Sequence, residues 1–255
     1  MSLEIHTIPC RSDNYAYLIR DAASGEVGLV DAPAAAPIEA ALKDLGWGLD
    51  LIIITHHHGD HIEGVDALRR VHDARVAGAA ADSQRLPRLD VALKQGDRIA
   101  LGESVADVLE VPGHTVGHVA YYFAEAEALF SGDSLMVMGC GRVFEGTPEQ
   151  MWGSLAAMAK LPDATLLHSG HEYAESNARF ALTVDAENQA LRERAAEIAA
   201  MRQMGGATVP ARLDLERATN PFLRCADPGF KARLGLVNLP DAQVFAEVRR
   251  RKDAF

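Results

Sequence analysis

Short apolar segments separated by polar turns dominate the first two thirds of the chain and predict an α/β fold rich in strands. Strands are expected at residues 3–8, 15–19, 26–31, 104–111 and 118–123. The run LIIIT at 51–55 is largely β-branched and has no polar alternation, which is typical of a strand buried on both faces. Two further segments, ALFSGD at 128–133 and TLLHSGH at 165–171, share one layout, a short apolar strand that runs into a turn.

Two helices are predicted between the early strands. Pro33 and Pro37 interrupt the chain before a helix expected at Ile38–Leu45. A second helix is expected where apolar residues recur at a spacing of three, which places them on one helical face: Val65, Leu68 and Val71.

The last third of the chain changes character and predicts a helical region. Alanine, glutamate and arginine dominate residues 172–204, and apolar residues recur there at helical spacing, which predicts a helix ended by Gly205 and Gly206. The segment after residue 210 is expected to be mainly helical. We therefore expect two domains, an α/β domain at residues 1–171 and a helical domain at residues 172–255.

Composition narrows the class of protein. The 255 residues are 48% hydrophobic and 24% charged, which excludes a disordered or collagen-like chain. Acidic residues outnumber basic ones, 36 against 25, and the net charge of −11 speaks against nucleic acid as a partner. No apolar run is long enough to span a bilayer and the start lacks a signal-peptide pattern, so we expect a cytoplasmic protein without a membrane partner. The three cysteines are too scattered for a disulfide framework.

The segment THHHGDH at 55–61 directly follows the buried strand and carries the densest set of metal-ligand residues. Its candidates are His56, His58, Asp60 and His61. Imidazole and carboxylate groups are ligands that zinc-type cations favour. Residues two apart in an extended segment project to the same side, so His56 and His58 can hold one ion together. Asp60 and His61 lie beyond them and can serve a second ion.

Three other strand ends supply further ligand types, namely His114, Asp133 and His171. Ligand sites gather at the carboxyl ends of strands in α/β sheets, so we expect these residues to join the first cluster. The count predicts two ions, with Asp133 as a bridge. The expected ligands are His56, His58 and His114 on one ion, and Asp60, His61 and His171 on the other.

The remaining histidines are expected to have other roles. His57 alternates away from its neighbours and is expected to pack or to support the ligands. His118 and His168 are expected to be structural and to orient ligands through ring N–H bonds. His6 and His72 are expected to be solvated side chains.

The ligand pattern resembles the metallo-β-lactamase superfamily, whose members share the T-H-x-H-x-D-H motif and an αββα sandwich. Later segments narrow the resemblance to the glyoxalase II (hydroxyacylglutathione hydrolase) family: GCGRVFEGTPEQM at 139–151, SGHEYAESNARF at 169–180, NPFLR at 220–224 and RRRKDAF at 249–255. The likeness therefore spans essentially the whole chain. It implies an αββα sandwich with a helical C-terminal domain that contributes to glutathione binding.

The resemblance also implies a substrate and the residues that bind it. S-lactoylglutathione would be hydrolysed to glutathione and D-lactate, the second step of methylglyoxal detoxification. Carried over residue by residue, the family's substrate contacts fall on Arg142, Phe144, Tyr173, Arg249 and Lys252. Phe144 stands where some relatives have tyrosine, so a hydroxyl group is missing there.

The ligand residues suit this chemistry. Metal coordination can lower the pKa of a water to about 7, and the resulting hydroxide would attack the thioester carbonyl while the cations stabilise the oxyanion. Asp60 is expected to help orient the hydroxide. A thiol pKa of about 8.5 makes the thiolate a good leaving group without a strong general acid. Zinc is the expected metal, with iron or manganese as alternatives, and a monomer is expected.

Four other functions share parts of these features. A persulfide dioxygenase would use a single iron and usually lacks the long helical C-terminal part. A nuclease would need a basic groove, of which the net charge gives no sign. A flavodiiron protein would normally carry an acidic residue in place of His58 and would need a flavin domain. A non-catalytic scaffold would have lost ligands, whereas all seven positions are filled.

Overall fold

The computed structural model describes residues 3–255, and the chain divides into two compact units. The first unit runs to Glu110 and also contains Thr115–Gly132. The second unit joins Val111–His114 to Asp133–Phe255.

The first unit contains a mixed sheet and an antiparallel ladder. Its strands are β1 (Leu3–Cys10), β2 (Asn14–Asp21), β3 (Val27–Val30), β4 (Leu51–Ile53), β5 (Arg75–Ala79), β6 (Val91–Leu93), β7 (Arg98–Leu101), β8 (Ser104–Glu110), β9 (Val119–Phe123) and β10 (Ala128–Gly132). Strands β1 to β6 lie side by side in chain order. The pairs from β1 to β3 are antiparallel, and those from β3 to β6 are parallel. Strands β7 to β10 pair in an antiparallel ladder.

The helices of the first unit are α1 (Ala35–Leu45), α2 (Gly59–Ile62) and α3 (Val65–His72). Helix α1 begins before Pro37, not after it, because the missing N–H of a proline costs nothing in the first turn of a helix. Helix α3 buries Val65 and Leu68, but Val71 is 68% exposed. A spacing of three falls behind the 3.6-residue turn, so the third residue rotates off the buried face and the prediction for Val71 was wrong.

The core of the first unit confirms a buried strand where one was predicted at residues 51–55, although β4 ends at Ile53. Residues 51–54 are at most 2% exposed and Thr55 is fully buried. Ile52 and Ile54 belong to a cluster that includes Leu18, Leu29 and Leu68. Burying each large aliphatic side chain contributes roughly 1.5–3 kcal/mol. The end of β4, and with it the segment that follows, is thereby held in place.

The second unit is mainly helical. Its strands are β11 (Leu135–Met136), β12 (Gly139–Cys140), β13 (Leu166–Ser169) and β14 (Ala211–Arg212). Its helices are α4 (Pro148–Met158), α5 (Ala174–Val184), α6 (Gln189–Gln203), α7 (Leu213–Thr219), α8 (Pro228–Leu234) and α9 (Asp241–Asp253). Helix α4 begins with a capping box between Thr147 and Gln150.

The single helix predicted over residues 172–204 is two helices. Its end is as expected, because α6 stops at Gln203 and Gly205 has a φ of 74°. The break lies between Asp185 and Asn188. The Asp185 carboxylate is buried and accepts hydrogen bonds from Arg224, Arg233 and Asn188. The Asn188 side chain caps α6 by accepting from Leu191 N. These partners are distant in sequence, so helical periodicity alone does not reveal the break.

A buried polar network ties the helices to the β11–β12 hairpin. Glu216 is fully buried and forms an ion pair with Arg194, and it also accepts from the backbone N–H of Met138. The Asn220 amide donates to the carbonyls of Met136 and Gly139. Breaking such a buried pair costs about 3–5 kcal/mol. The helical region therefore fixes the hairpin that leads into Arg142.

All three thiols, Cys10, Cys140 and Cys225, are buried and outside any disulfide. Burial raises the pKa of Cys10 and of Cys140 to about 11. It raises the pKa of Cys225 further.

Candidate metal centre

The segment at residues 55–61, which we call the ligand loop, joins β4 to α2. Thr55 and His56 are fully buried at the end of the strand, and α2 begins at Gly59. His56 Nε2 lies 3.1 Å from His58 Nδ1. Two ring nitrogens bound to one tetrahedral ion would be about 3.3 Å apart. The two rings therefore point at one position, as the two-residue spacing predicted.

Asp31 fixes the orientation of two imidazoles in the ligand loop. Its carboxylate accepts from Thr55 N at 2.8 Å, from Thr55 Oγ1 at 2.7 Å and from His61 Nδ1 at 2.8 Å. Because the Thr55 hydroxyl donates to Asp31, it accepts from His56 Nδ1 at 3.0 Å. Both rings thus carry their proton on Nδ1 and present the lone pair of Nε2. This arrangement fits a divalent cation.

Asp31 was not among the residues that the sequence pattern singled out, although it supports two of the predicted ligands. It follows β3 with a φ of 57°, a conformation that costs free energy for a residue with a side chain. The acid at the end of the predicted strand 26–31 was the available signal in the sequence.

Asp60, a predicted ligand, lies in α2. Its side chain is 35% exposed, and Oδ2 is 3.8 Å from His61 Nε2. Asn14, which the sequence analysis did not identify, donates from Nδ2 to this carboxylate.

The second unit brings its three predicted ligands together around Asp133. His114 Nε2 lies 3.4 Å from Asp133 Oδ2, and His171 Nε2 lies 3.2 Å from the same oxygen. All three residues are buried. His114 Nδ1 donates to the carbonyl of Arg142 at 2.8 Å, which leaves Nε2 as the acceptor. An oxygen that faces two imidazole nitrogens suits the bridging role predicted for Asp133.

Gly141 lets Asp133 and His114 lie this close to each other. A Cβ atom at this position would lie 2.2 Å from the Asp133 carbonyl oxygen and 2.8 Å from His114 Nδ1. Any other residue would therefore push the two ligands apart.

The other histidines lie in different surroundings. His57 Nδ1 lies 3.0 Å from Asp82 Oδ2. His118 is buried, and its ring stacks on that of His56 with 4.6 Å between centroids. Burial lowers the pKa of His168 to about 4, so this ring is neutral at pH 7. His72 lies beside Glu39, and His6 beside Glu4.

Two aromatic rings predicted to bind substrate lie against ligand imidazoles of the second unit. The Tyr173 ring stacks on His171 with centroids 4.7 Å apart and an interplanar angle of 6°. The Phe144 ring lies 5.3 Å from that of His114. Tyr173 is 40% exposed and Phe144 is 61% exposed. Both rings therefore leave area that a ligand can cover.

The basic residues predicted to bind substrate form what we call the cationic cluster, at the end of α9: Arg142, Arg249 and Lys252. The pKa of Lys252 is lowered to about 8 by burial and by the charges of Arg249, Arg179 and Arg142. Lys252 Nζ donates to the carbonyl of Ser176 at 3.2 Å. The Arg142 side chain is 64% exposed.

Arg249 differs from the other members of the cluster because it is buried. Its guanidinium donates to the Cys140 carbonyl at 3.0 Å and pairs with Asp253 at 2.9 Å. It also lies over the ring of Phe222, 5.1 Å from the centroid. Arg249 thus supports the β11–β12 hairpin.

Comparisons with known proteins agree with these features. Residues 12–171 match the family model described as metallo-beta-lactamase superfamily. Residues 172–255 match the one described as hydroxyacylglutathione hydrolase C-terminus. The chain is 57% identical to the hydroxyacylglutathione hydrolase of Cereibacter sphaeroides over 255 residues, which is 100% of both chains.

Solved structures share the fold. The B3 metallo-beta-lactamase BLEG-1 aligns with a TM-score of 0.67 and 23% identity, over 86% of this chain and 99% of that one. TTHA1623, solved in a di-iron-bound form, aligns with a TM-score of 0.60 and 25% identity, over 86% of this chain and 100% of that one. The predicted fold class, an α/β sandwich with a helical C-terminal domain, is confirmed.

Proposed function

The chain belongs to the hydroxyacylglutathione hydrolase family of the metallo-beta-lactamase superfamily, and from this we propose that it hydrolyses S-(2-hydroxyacyl)glutathione thioesters at a pair of divalent cations. The products would be glutathione and a 2-hydroxy acid, with S-lactoylglutathione and D-lactate as the specific pair. This is the second step of methylglyoxal detoxification.

We assign His56, His58 and His114 to one cation and Asp60, His61 and His171 to the other, with Asp133 between them. Support comes from the geometry within each unit. His56 Nε2 lies 3.1 Å from His58 Nδ1, and His61 Nε2 lies 3.8 Å from Asp60 Oδ2. In the second unit, His114 and His171 both face Asp133 Oδ2. A related structure described as di-iron-bound supports a pair of ions. We propose zinc because imidazole and carboxylate ligands suit it, as they also suit iron and manganese.

The residues around the cations have distinct tasks in this reaction. When bound, the cations would supply hydroxide at neutral pH and stabilise negative charge on the thioester oxygen. Asp31 and the Arg142 carbonyl hold the ligand rings so that little reorganisation is needed. Asp60 would orient the attacking water through its carboxylate. The glutathione thiolate leaves without a general acid because its pKa is low, about 8.5.

We propose that residues 1–171 form the catalytic domain and that residues 172–255 bind glutathione. Glutathione carries two carboxylates, and the cationic cluster offers charges to meet them. Lys252 and the exposed Arg142 would contact a carboxylate, and Arg249 would act mainly by supporting the hairpin before Arg142. Phe144 and Tyr173 would pack against the substrate beside the ligand rings, and the Tyr173 hydroxyl would hydrogen-bond to it.

The observation that carries the proposal is the 57% sequence identity to a hydroxyacylglutathione hydrolase over the full length of both chains. The test measures metal content together with thiol release from S-lactoylglutathione. We expect two ions per chain, loss of turnover on chelation and recovery when metal is added back. Thiol release that persists in metal-free protein would contradict the proposal. A single iron with oxygen consumption would instead favour a persulfide dioxygenase.

No helix within residues 3–255 has both the length and the apolar character needed to cross a membrane. We propose a cytoplasmic monomer whose partner is the small glutathione thioester and not a nucleic acid. Size-exclusion chromatography coupled to light scattering tests the oligomeric state.

A further inference from the structure

Asn14 makes an unusual pair of hydrogen bonds to one ligand residue. It is the first residue of β2, it is 4% exposed, and it pairs with Cys10 across the β1–β2 hairpin. Its Nδ2 donates to the backbone carbonyl of Asp60 at 3.0 Å and to Asp60 Oδ2 at 3.0 Å. One buried amide thus holds both the main chain and the carboxylate of Asp60.

The same hairpin makes two other contacts, both through Arg11. Arg11 has a φ of 51° in the hairpin turn. Its Nε donates to the Pro33 carbonyl at 2.9 Å, and its guanidinium pairs with Glu63, which directly follows α2. The hairpin therefore reaches both α2 and the segment that follows Asp31.

We propose that Asn14 is a positioning residue that aims the Asp60 carboxylate at the cation shared with His61. This inference rests on the proposed pair of cations. The Asp60 side chain is 35% exposed, so packing alone leaves its carboxylate several rotamers. A donor on Oδ2 selects one of them and leaves the remaining lone pairs of the carboxylate for a metal.

The chemistry of the amide suits this task. A carboxamide donor holds a carboxylate without adding a positive charge that would repel the cation, whereas lysine or arginine would add one. Asn14 is also the first residue of β2, and the β1–β2 ladder fixes the backbone there. Groups that orient ligands from such rigid positions change metal affinity about 10- to 100-fold when they are removed.

The test uses two substitutions with different shapes. Asn14→Leu keeps the branched shape but removes the donor, and Asn14→Ala removes both. Zinc is titrated into metal-free protein against a chromophoric chelator to obtain two dissociation constants. We expect one dissociation constant to rise about tenfold or more in both variants and the other to stay close to that of the unsubstituted protein.

A matched control is Asn188→Ala. The Asn188 Nδ2 likewise donates to a carboxylate, Asp185 Oδ2, and to a carbonyl, that of Ala218, both at 3.0 Å.

The outcomes separate positioning from packing. A purely structural role would lower the melting temperature of the metal-free protein and leave both zinc constants unchanged, as expected for Asn188→Ala. Weakening only in Asn14→Ala, equal weakening of both ions, or no weakening would each overturn the inference. If neither variant folds, the side-chain amide resonances of Asn14 in the unsubstituted protein provide the test. They should shift on zinc binding, and unshifted resonances would overturn the inference.

These results are distinct from a failure of the proposed function. The function fails if the unsubstituted protein binds fewer than two ions or releases no thiol. The role of Asn14 fails if the unsubstituted protein does both and the variants retain its two zinc constants.

Discussion

The ligand loop and the cationic cluster at the end of α9 represent opposite ways of preparing a site. In the ligand loop, His56 and His61 are fully buried, and their Nδ1 atoms are hydrogen-bonded to Thr55 and Asp31. Their Nε2 atoms therefore offer lone pairs to a cation. In the cationic cluster, burial and the neighbouring arginines lower the pKa of Lys252, so its charged form is disfavoured. A bound anion would favour the charged form of Lys252 again. Changes in the loop should therefore affect metal content and kcat, and changes in the cluster should affect KM.

Removing a ligand should give the largest effect. Asp133→Ala or His58→Ala should lower kcat for S-lactoylglutathione by about a thousandfold or more, because charge stabilisation in the transition state is lost. Thiol release and metal content are measured together. His72→Ala is the control, since His72 lies beside Glu39 away from the ligands. Turnover near that of the unsubstituted protein in either ligand variant would contradict the two-cation assignment.

Changing the support behind the ligands should give the next effect. Asp31→Asn should lower kcat and zinc affinity about 10- to 100-fold, because the amide has one oxygen in place of two and its nitrogen cannot accept a hydrogen bond. The variant loses either the bond from Thr55 N or the bonds from Thr55 Oγ1 and His61 Nδ1. Asp21→Asn is a matched control, since Asp21 is equally buried but accepts from Ser24 and Ser104. If both variants lose the same metal affinity, Asp31 acts only through stability.

The cationic cluster predicts a pH dependence of KM. The pKa of Lys252 is lowered to about 8, so its charge is present below that pH and is lost as the pH rises through it. Binding of a glutathione carboxylate weakens accordingly, and KM should rise above about pH 8. Lys252→Arg should remove this rise because arginine stays charged. Lys252→Ala should raise KM about tenfold at pH 7, and Arg251→Ala serves as the control. An identical pH profile of KM in Lys252→Arg would remove Lys252 from the substrate site.

Tyr173 should give the smallest effect. Its ring stacks on His171, so Tyr173→Phe keeps the stacking and removes only the hydroxyl. We expect KM to rise about two- to fivefold, the size of one hydrogen bond to substrate. A KM equal to that of the unsubstituted protein would reduce Tyr173 to a packing role against the imidazole.

The sequence predicted those features that depend on local pattern. The buried strand before the ligand loop is apolar throughout, and the side-chain alternation of an extended segment places His56 and His58 together. Strand β5 escaped detection because RVAGA contains glycine and alanine, which have low strand propensity.

Features that depend on distant partners were harder to predict. The division between α5 and α6 depends on Arg224 and Arg233, which meet Asp185 only in the folded chain. Asn14 is a further example, since nothing in its neighbourhood indicates that it will face Asp60. Such contacts are set by tertiary structure, which local propensity does not encode.

The buried cysteines have a consequence for a protein that liberates glutathione. A thiol attacks or exchanges with disulfides as its thiolate, and pKa values of about 11 keep Cys10 and Cys140 protonated at neutral pH. We therefore expect the chain to work in the presence of its glutathione product, and of oxidised glutathione, without becoming glutathionylated. Mass spectrometry after incubation with oxidised glutathione should find the native mass, and an adduct of one glutathione would show that a thiol is reached.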